Sequence, residues 1–341
     1  MSSPSTNRFT LYLLSTLLLF CVSIANAQQK PRSNVSAITG QKFNSKKKKQ
    51  QQKRQFNYIN SIKGIFGVGV ANYAGDLCKG FGCTKPRPSI VAGVEYRLDE
   101  SITLRSELTW IRIAGTDAGG DYEYRNLSFR ADNFEFTGAV MYDIFHYEKM
   151  YRRRHFASPY VFVGIGLTTI SPKAQYNGEW HALRPLQTGG QSYSPIALVI
   201  PYGGGAKFKI NPSLNITAEV GLRWVFSDYL DDVSGKYDPK IKNDENEIRA
   251  ALSDRREEYL REQVVPGEGA LSASERNQLS KSNNELYNLA YKASDRGGSD
   301  SNDGYMVFQI KAEYTLKVTK QHYNINSNVN RFRLIKSIKK K

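Results

Sequence analysis

SLNITAEVGLRWVF, residues 213–226, alternates along its whole length. Leu214, Ile216, Ala218, Val220, Leu222 and Trp224 fall on one face, with Asn215, Thr217, Glu219 and Arg223 on the other. Successive side chains of a strand point to opposite sides, so a period of two with one apolar face reads as a strand. In 101–114, Ile102, Leu104, Leu108 and Trp110 oppose Thr103, Arg105, Glu107 and Thr109. In 304–317, Met306, Phe308, Ile310, Ala312, Tyr314 and Leu316 oppose Gln309, Lys311 and Glu313. From Gly64 onward eight such segments follow one another, at about 64–75, 88–98, 101–114, 132–146, 158–170, 195–210, 213–226 and 304–317. Segments 158–170 and 195–210 are apolar or Gly-rich on both faces and fit the pattern least well.

A water-soluble sheet also alternates, and the charges separate the two cases. The polar faces carry full charges of both signs at mid-strand: Glu95 and Arg97, Arg105 and Glu107, Glu219 and Arg223, Lys311 and Glu313. A soluble barrel would turn its apolar face inward. Here the apolar faces are expected to meet lipid, with these eight charges paired in the lumen. Connection lengths agree. Asp99-Glu100 and Asn211-Pro212 are tight turns, whereas 76–87, 115–131, 171–194 and 227–303 are long. Short turns on one side and long loops on the other mark an outer-membrane barrel. Aromatic residues at two levels (Tyr58, Tyr142, Phe145, Tyr147 and Phe156; Trp110, Trp224 and Phe226) fit interface girdles. The fold class expected is all-β, an eight-stranded antiparallel transmembrane β-barrel with a helical insertion in its last extracellular loop. Eight strands leave an interior just wide enough for side chains, which argues against a solute pore.

The flanks follow from the same reading. Arg8, the apolar run Leu11 to Val22 and Ala25-Asn26-Ala27 form a removable secretory signal over residues 1–27. No later run approaches the ~18 apolar residues of a membrane helix. A mean hydropathy of −0.51 is compatible with barrel strands, whose hydropathy signal is weak. The net charge of +16 is uneven. Residues 28–63 carry ten Lys/Arg and no acid, and 318–341 carry seven and no acid, whereas 227–303 hold 17 acids against 11 bases. The segment 28–63 reads as a disordered, self-repelling basic arm, and 318–341 as a basic C-terminal tail. An even strand count puts both on the periplasmic side with Arg152, Arg153 and Arg154. Lys46, Lys47, Lys48 and Lys49 and these three arginines are the candidate contacts to a periplasmic partner or to anionic headgroups, with a solvated tail that only aids export or solubility as the plain alternative. Nucleic acid is a poor partner for an exported chain without a recognition motif, and no small-molecule substrate is expected.

Cys78 and Cys83, in a Gly-rich loop of an exported chain, suit a short local disulfide better than a metal site, since two thiolates alone cannot complete a tetrahedral shell. His146, His155, His181 and His322 form no metal spacing and no nucleophile context. No catalytic, cofactor-binding or metal residue is therefore expected, and the chain reads as non-enzymatic; a lipid-acting barrel enzyme would need a Ser or His with a base and an orienter in reach. Asp228, Asp231, Asp232 and Asp238 lack a regular Ca²⁺-loop spacing and read as charged loop surface. Within the acidic loop, Ile248, Leu252 and Tyr259 stand at helical spacing over 245–263, and Ser272 to Glu275 forms a capping box.

Five stretches carry a resemblance: FGVGVANYAGDL (66–77), RNLSFR (125–130), AQYNGEWHALRPL (174–186), SDYLDDVS (227–234) and ALSDR (251–255). In this order they resemble the DUF6089 family of outer-membrane β-barrels of the Bacteroidota. The resemblance implies an eight-stranded barrel with SDYLDDVS opening the last long loop. Through a member associated with the periplasmic ring of the type IX secretion machine, it also implies a scaffold role, with periplasmic ring proteins as partners beside outer-membrane lipid. It supplies no catalytic residues. The alternative is a free-standing structural or surface-adhesion barrel of OmpX type. The basic arm and the C-terminal tail exceed the family pattern.

Overall fold

The protein is described from a computed structural model, covering residues 57–77, 85–146, 154–242, 244–263, 271–282, 284, 287, 295–298 and 302–319. Eight long strands make the wall: β1 (Asn57–Ala74), β2 (Arg87–Arg97), β3 (Ile102–Thr116), β4 (Ser128–Asp143), β5 (Ala157–Thr169), β8 (Ile196–Lys209), β9 (Leu214–Val225) and β10 (Gly304–Thr319). Each pairs antiparallel with its neighbour, and β1 pairs with β10 from Asn57↔Thr319 to Ala74↔Gly304, which closes the sheet. Closure removes the free edges that lipid cannot satisfy. No described helix is long and apolar enough to cross a membrane, and the strands are what span it.

The alternation now has a direction. In β4 the odd-numbered Asn133, Glu135, Thr137, Ala139, Met141 and Asp143 are buried, while Phe134, Phe136, Val140 and Tyr142 lie outside. Around the wall Phe66, Val68, Leu108, Phe136, Val163, Ile165, Tyr202 and Ile310 continue that outer band. Phe136 is 59% exposed although its strand is fully paired, so its environment must be hydrocarbon. The outer aromatics Tyr96, Tyr142, Phe156 and Tyr314 sit toward the short turns, and Trp224 stacks on Phe226 at 5.7 Å toward the long loops.

Several boundaries differ from the sequence reading, each for a physical reason. Strand β1 starts at Asn57, inside the stretch assigned to the basic arm. Ser61 and Lys63 are buried inward and Ile62 faces out, so the barrel alternation is already running there. Strand β10 likewise continues to Thr319, past the expected boundary. The connection 171–194 is not a plain loop. It folds as the hairpin β6 (Pro172–Tyr176) and β7 (Glu179–Ala182) and one turn of helix, α1 (Leu183–Leu186). Asn177 (φ 50°) and Gly178 (φ 85°) make the hairpin turn, a pairing that favours a two-residue turn with positive φ. Strand β6 pairs with the loop end of β4 through Arg130↔Lys173 and Ala131↔Pro172, so β4 begins at Ser128 and rises above the barrel.

The last connection carries α2 (Pro239–Lys242), α3 (Glu247–Ser253), α4 (Arg256–Gln263) and α5 (Ala273–Lys281). The helical stretch expected over 245–263 is broken at Asp254-Arg255, where Asp254 turns its carboxylate onto Arg256 at 2.7 Å. Helix α5 starts in a capping box, with Ser272 accepting from Glu275 N at 3.3 Å and Glu275 Oε2 accepting from Ser272 N at 2.7 Å. The signal segment, residues 28–56, Cys78, Cys83, Tyr147 and the tail beyond 319 lie outside the described residues.

A charge on the lipid face of a barrel costs about 2–4 kcal/mol near the bilayer midplane. Phe136→Arg should therefore lower unfolding free energy by about that amount in guanidinium titrations of the protein in liposomes. A change under about 0.5 kcal/mol would mean that this face does not meet lipid.

Candidate functional site: a charge-filled lumen beneath a loop cap

Burial sets the geometry of the interior. Twelve charged side chains on the wall strands point inward and are almost fully buried: Lys63, Arg97, Arg105, Lys207, Arg223 and Lys311 against Glu95, Glu107, Glu135, Asp143, Glu219 and Glu313. Six cations face six anions, so this set is neutral. Nearest the short turns, Lys63 Nζ donates to Glu313 Oε2 at 2.8 Å and Glu95 Oε2 at 3.3 Å. Arg97 Nη2 donates to Asp143 Oδ2 at 2.6 Å, and Lys207 Nζ lies 3.2 Å from Asp143 Oδ1. At mid-height Glu219 is the hub. It accepts from Arg105, from Lys311 Nζ at 2.8 Å and from Tyr160 Oη at 2.5 Å, while Lys311 also reaches Glu107 at 2.6 Å. Toward the loops, Arg223 Nε lies 3.5 Å from Glu135, which also accepts from Tyr305.

Inward glycines leave the room these long side chains need. A Cβ on Gly67 would stand 2.8 Å from Lys311 Cγ, and one on Gly205 would stand 2.9 Å from Tyr160 Oη. The Gly-rich inner face of β8 thus makes room for the Tyr160 and Phe162 rings of β5. Sequence reasoning named eight of the twelve charged residues. It missed Lys63, read as part of the arm, and Glu135, Asp143 and Lys207, whose inward parity follows from the alternation once each strand's phase is fixed.

Above the last ionic layer the interior becomes apolar. Ala71, Ile111, Ile113, Ala131, Val199, Val225 and Val307 pack against the loop residues Leu77, Leu127, Ile170, Leu183, Leu230, Val233 and Leu252 as one core. A second core of Tyr124, Leu260, Leu271 and Leu279 joins α4 and α5 to the connection between β3 and β4. Two buried arginines stitch this cap together. Arg125 donates to Arg296 O at 2.7 Å and Asp76 O at 2.9 Å, and pairs with Asp117 at 2.6 Å. Arg296 donates to Ser253 O at 3.3 Å, to Thr188 Oγ1 at 2.9 Å and to the Asp232 carbonyl. Between them they hold all four long connections. Every stretch that carries the family resemblance reaches this cap: Tyr73 and Asp76, Arg125 and Leu127, Ala174 and Leu183, Leu230 to Val233, and Leu252 and Ser253.

Two acidic residues of the SDYLDDVS stretch, Asp231 and Asp232, lie inside the protein. Asp232 accepts from Tyr193 Oη at 2.7 Å and from Thr188. Tyr73 Oη lies 2.6 Å from Asp231 Oδ2 and 2.8 Å from Asp303 Oδ1. One phenol carries one proton, so both contacts are hydrogen bonds only when one carboxyl is itself protonated and donates back. Burial pushes Asp303 up to about 7, with Asp228 and Asp76 adding to the rise against the Tyr73 and Leu230 hydrogen bonds. Burial raises Asp231 as well, and Asp303 adds to it. Charged loop surface does not describe Asp231 and Asp232, which are buried cap residues. No group of three or more metal-ligating side chains occurs among the described residues.

Of the remaining candidate residues, Arg154 is buried at the short-turn end, donating to Asn215 Oδ1 at 3.0 Å while its carbonyl accepts from Lys209. Lys46, Lys47, Lys48, Lys49, Arg152 and Arg153 lie outside the described residues. His155 packs on Phe145 at 5.0 Å and His181 on Tyr176 at 6.4 Å.

The carboxyl pair gives the cap a pH dependence of definite sign. With the folded acid raised above its unfolded value, the native state holds more protons between about pH 4 and 7, so stability falls as pH rises through that window. The slope is at most about 1.4 kcal/mol per pH unit for one proton. Amide protection of Leu230 and Val233, corrected for intrinsic exchange, should be higher at pH 5 than at pH 8, and Asp303→Asn should flatten the difference. Protection that rises with pH would contradict the shared-proton arrangement.

Comparison with protein families comes to the same architecture. The family described as "Outer membrane protein beta-barrel domain" matches residues 13–251, more than half of the chain. Comparison with curated proteins gives no match. Among solved structures, Neisserial surface protein A is 8% identical with a TM-score of 0.36, covering 75% of this chain and 97% of its own. Ail, the attachment invasion locus protein of Yersinia pestis, is 9% identical with a TM-score of 0.33, covering 76% and 100%. OprG from Pseudomonas aeruginosa is 10% identical with a TM-score of 0.31, covering 76% and 97%. The likeness to these structures is distant, and the assignment rests on the family match together with the closed, lipid-faced wall: this chain belongs to the outer membrane protein beta-barrel domain family and resides in the outer membrane.

Proposed function

We propose that this barrel is a non-enzymatic membrane anchor that serves a protein-secretion complex of the PorG-like, type IX kind. The filled lumen carries the proposal. Twelve paired charges occupy an eight-stranded interior, and an apolar cap packs onto its loop end. Such a barrel is built to hold position in the bilayer and not to pass solutes. Its work is then done at its surfaces. Strands β1 and β10 both end on the short-turn side, so the basic segments that precede Asn57 and follow Thr319 emerge together. Two cationic chains leaving one rim suit electrostatic docking to an acidic periplasmic protein. The DUF6089-like stretches add the link to type IX secretion.

A second reading is a free-standing structural or surface-adhesion barrel of OmpX type. It is favoured by the outer part of the cap, where α4 and α5 have a core of their own. One set of deletions separates the two. Removing 28–55 or 321–341 should leave the barrel in the membrane and lower the secretion of type IX cargo. Removing 258–290, which keeps Ser253 and Arg296 in place, should leave secretion intact. Unchanged secretion without the basic segments would sink the anchor reading. Loss of surface attachment on removing 258–290 alone would favour the second.

A further inference from the structure

The outer surface of the wall is apolar up to the level of Trp110 and Phe134, and then its chemistry changes. One residue pair higher, Arg112 and Asp132 face outward and pair at 2.6 Å, with the Arg112 guanidinium 5.4 Å from the Trp110 ring centroid. The next outward position on β4 is Arg130, and directly opposite it on β6 stands Lys173. Like charges facing each other across a ladder destabilise it. No carboxylate forms an ion pair with either among the described residues, and Arg130 Nε is buried without a hydrogen-bond partner. Trp180, on the same face of β7, lies under the Arg130 guanidinium at 4.0 Å and is itself 44% exposed.

The position of this pair identifies what would satisfy it. Arg130 is four residues beyond Phe134 along β4, about 13 Å of strand before tilt is allowed for. It therefore stands just outside the hydrocarbon, on the long-loop side, where lipid headgroups lie. The cations face outward, so an anion reaching them comes from beside the barrel and not from the lumen. Arginine binds phosphate through its planar fork, lysine as a point charge, and a tryptophan at this level suits the interface. We propose that Arg130, Lys173 and the exposed ring of Trp180 form an interfacial site for the phosphorylated headgroup of an outer-leaflet lipid. The hairpin β6–β7 thus adds headgroup contacts above the lipid-facing band.

The test uses the full-length protein in phosphatidylcholine nanodiscs containing a small fraction of lipid A, with native mass spectrometry reading the lipid retained. Wild type should hold lipid A about 30-fold more tightly than R130Q/K173Q, at about 1 kcal/mol for each charge removed. The variant K240Q/K281Q, with the same charge change on the cap, should match wild type. R130K/K173R, which keeps both charges, should retain lipid A and guards against a mere loss of fold. Dephosphorylated lipid A should bind wild type no better than it binds R130Q/K173Q, and millimolar inorganic phosphate should not displace lipid A. Equal retention by wild type and R130Q/K173Q would overturn the proposal. So would tight binding of the dephosphorylated lipid, or displacement by free phosphate.

Discussion

A charge on the inner wall of this barrel cannot reach hydrocarbon and has little water beside it, so its only partners lie across the lumen. That constraint organises the structure. Isolated ions moved into a low-dielectric interior cost several kcal/mol each, and they persist there only when paired and hydrogen-bonded. Glu219 shows the solution, with Arg105, Lys311 and Tyr160 converging from three strands on a carboxylate carried by a fourth. Removing one partner of such a pair typically costs about 3–5 kcal/mol, because the other charge stays behind. The network therefore ties together strands far apart in the chain, and it fixes the phase of each strand, since a one-residue slip would turn charges into lipid. Wall, register and filled interior follow from one requirement.

The cap obeys a related rule with different means. Four long connections meet over the barrel mouth, and their backbone carbonyls need donors once water is displaced. Arg125 and Arg296 provide several of them, acting as side-chain substitutes for the ladder that a sheet would offer. The contacts of Tyr73 with Asp231 and Asp303 tie β1 to the last connection at the junction between barrel and cap. An ionic lumen below and an apolar core above thus close the barrel at successive levels, and what remains open to other molecules is the outside.

How much of this was legible in the residues depends on the range of the interaction that decides each part. Stretches 101–114, 213–226 and 304–317 declare themselves because their alternation is local and uninterrupted. The start of β1 was hidden because Lys63 looks like one more residue of a basic arm until Glu95 and Glu313 are seen beside it. Strand β8 was obscure because Gly203 and Gly205 carry no side chain to show which way they face. The hairpin β6–β7 does leave a local signal, Asn177-Gly178 between AQY and EWHA. The cap was beyond the reach of periodicity. Arg125 and Arg296 stand 171 residues apart, and Tyr73 and Asp303 are separated by 230. The family-like stretches could be seen as patterns, but their common purpose of building the cap appears only in three dimensions.

The central claim is that the lumen is closed by its own paired charges and by the cap above them. Ion conductance of the purified full-length protein in planar lipid bilayers tests it most directly. The closed arrangement predicts a membrane that stays at baseline with the protein inserted, at neutral pH and across applied voltages of both signs. Steady, reproducible conductance steps of porin size under those conditions would contradict it.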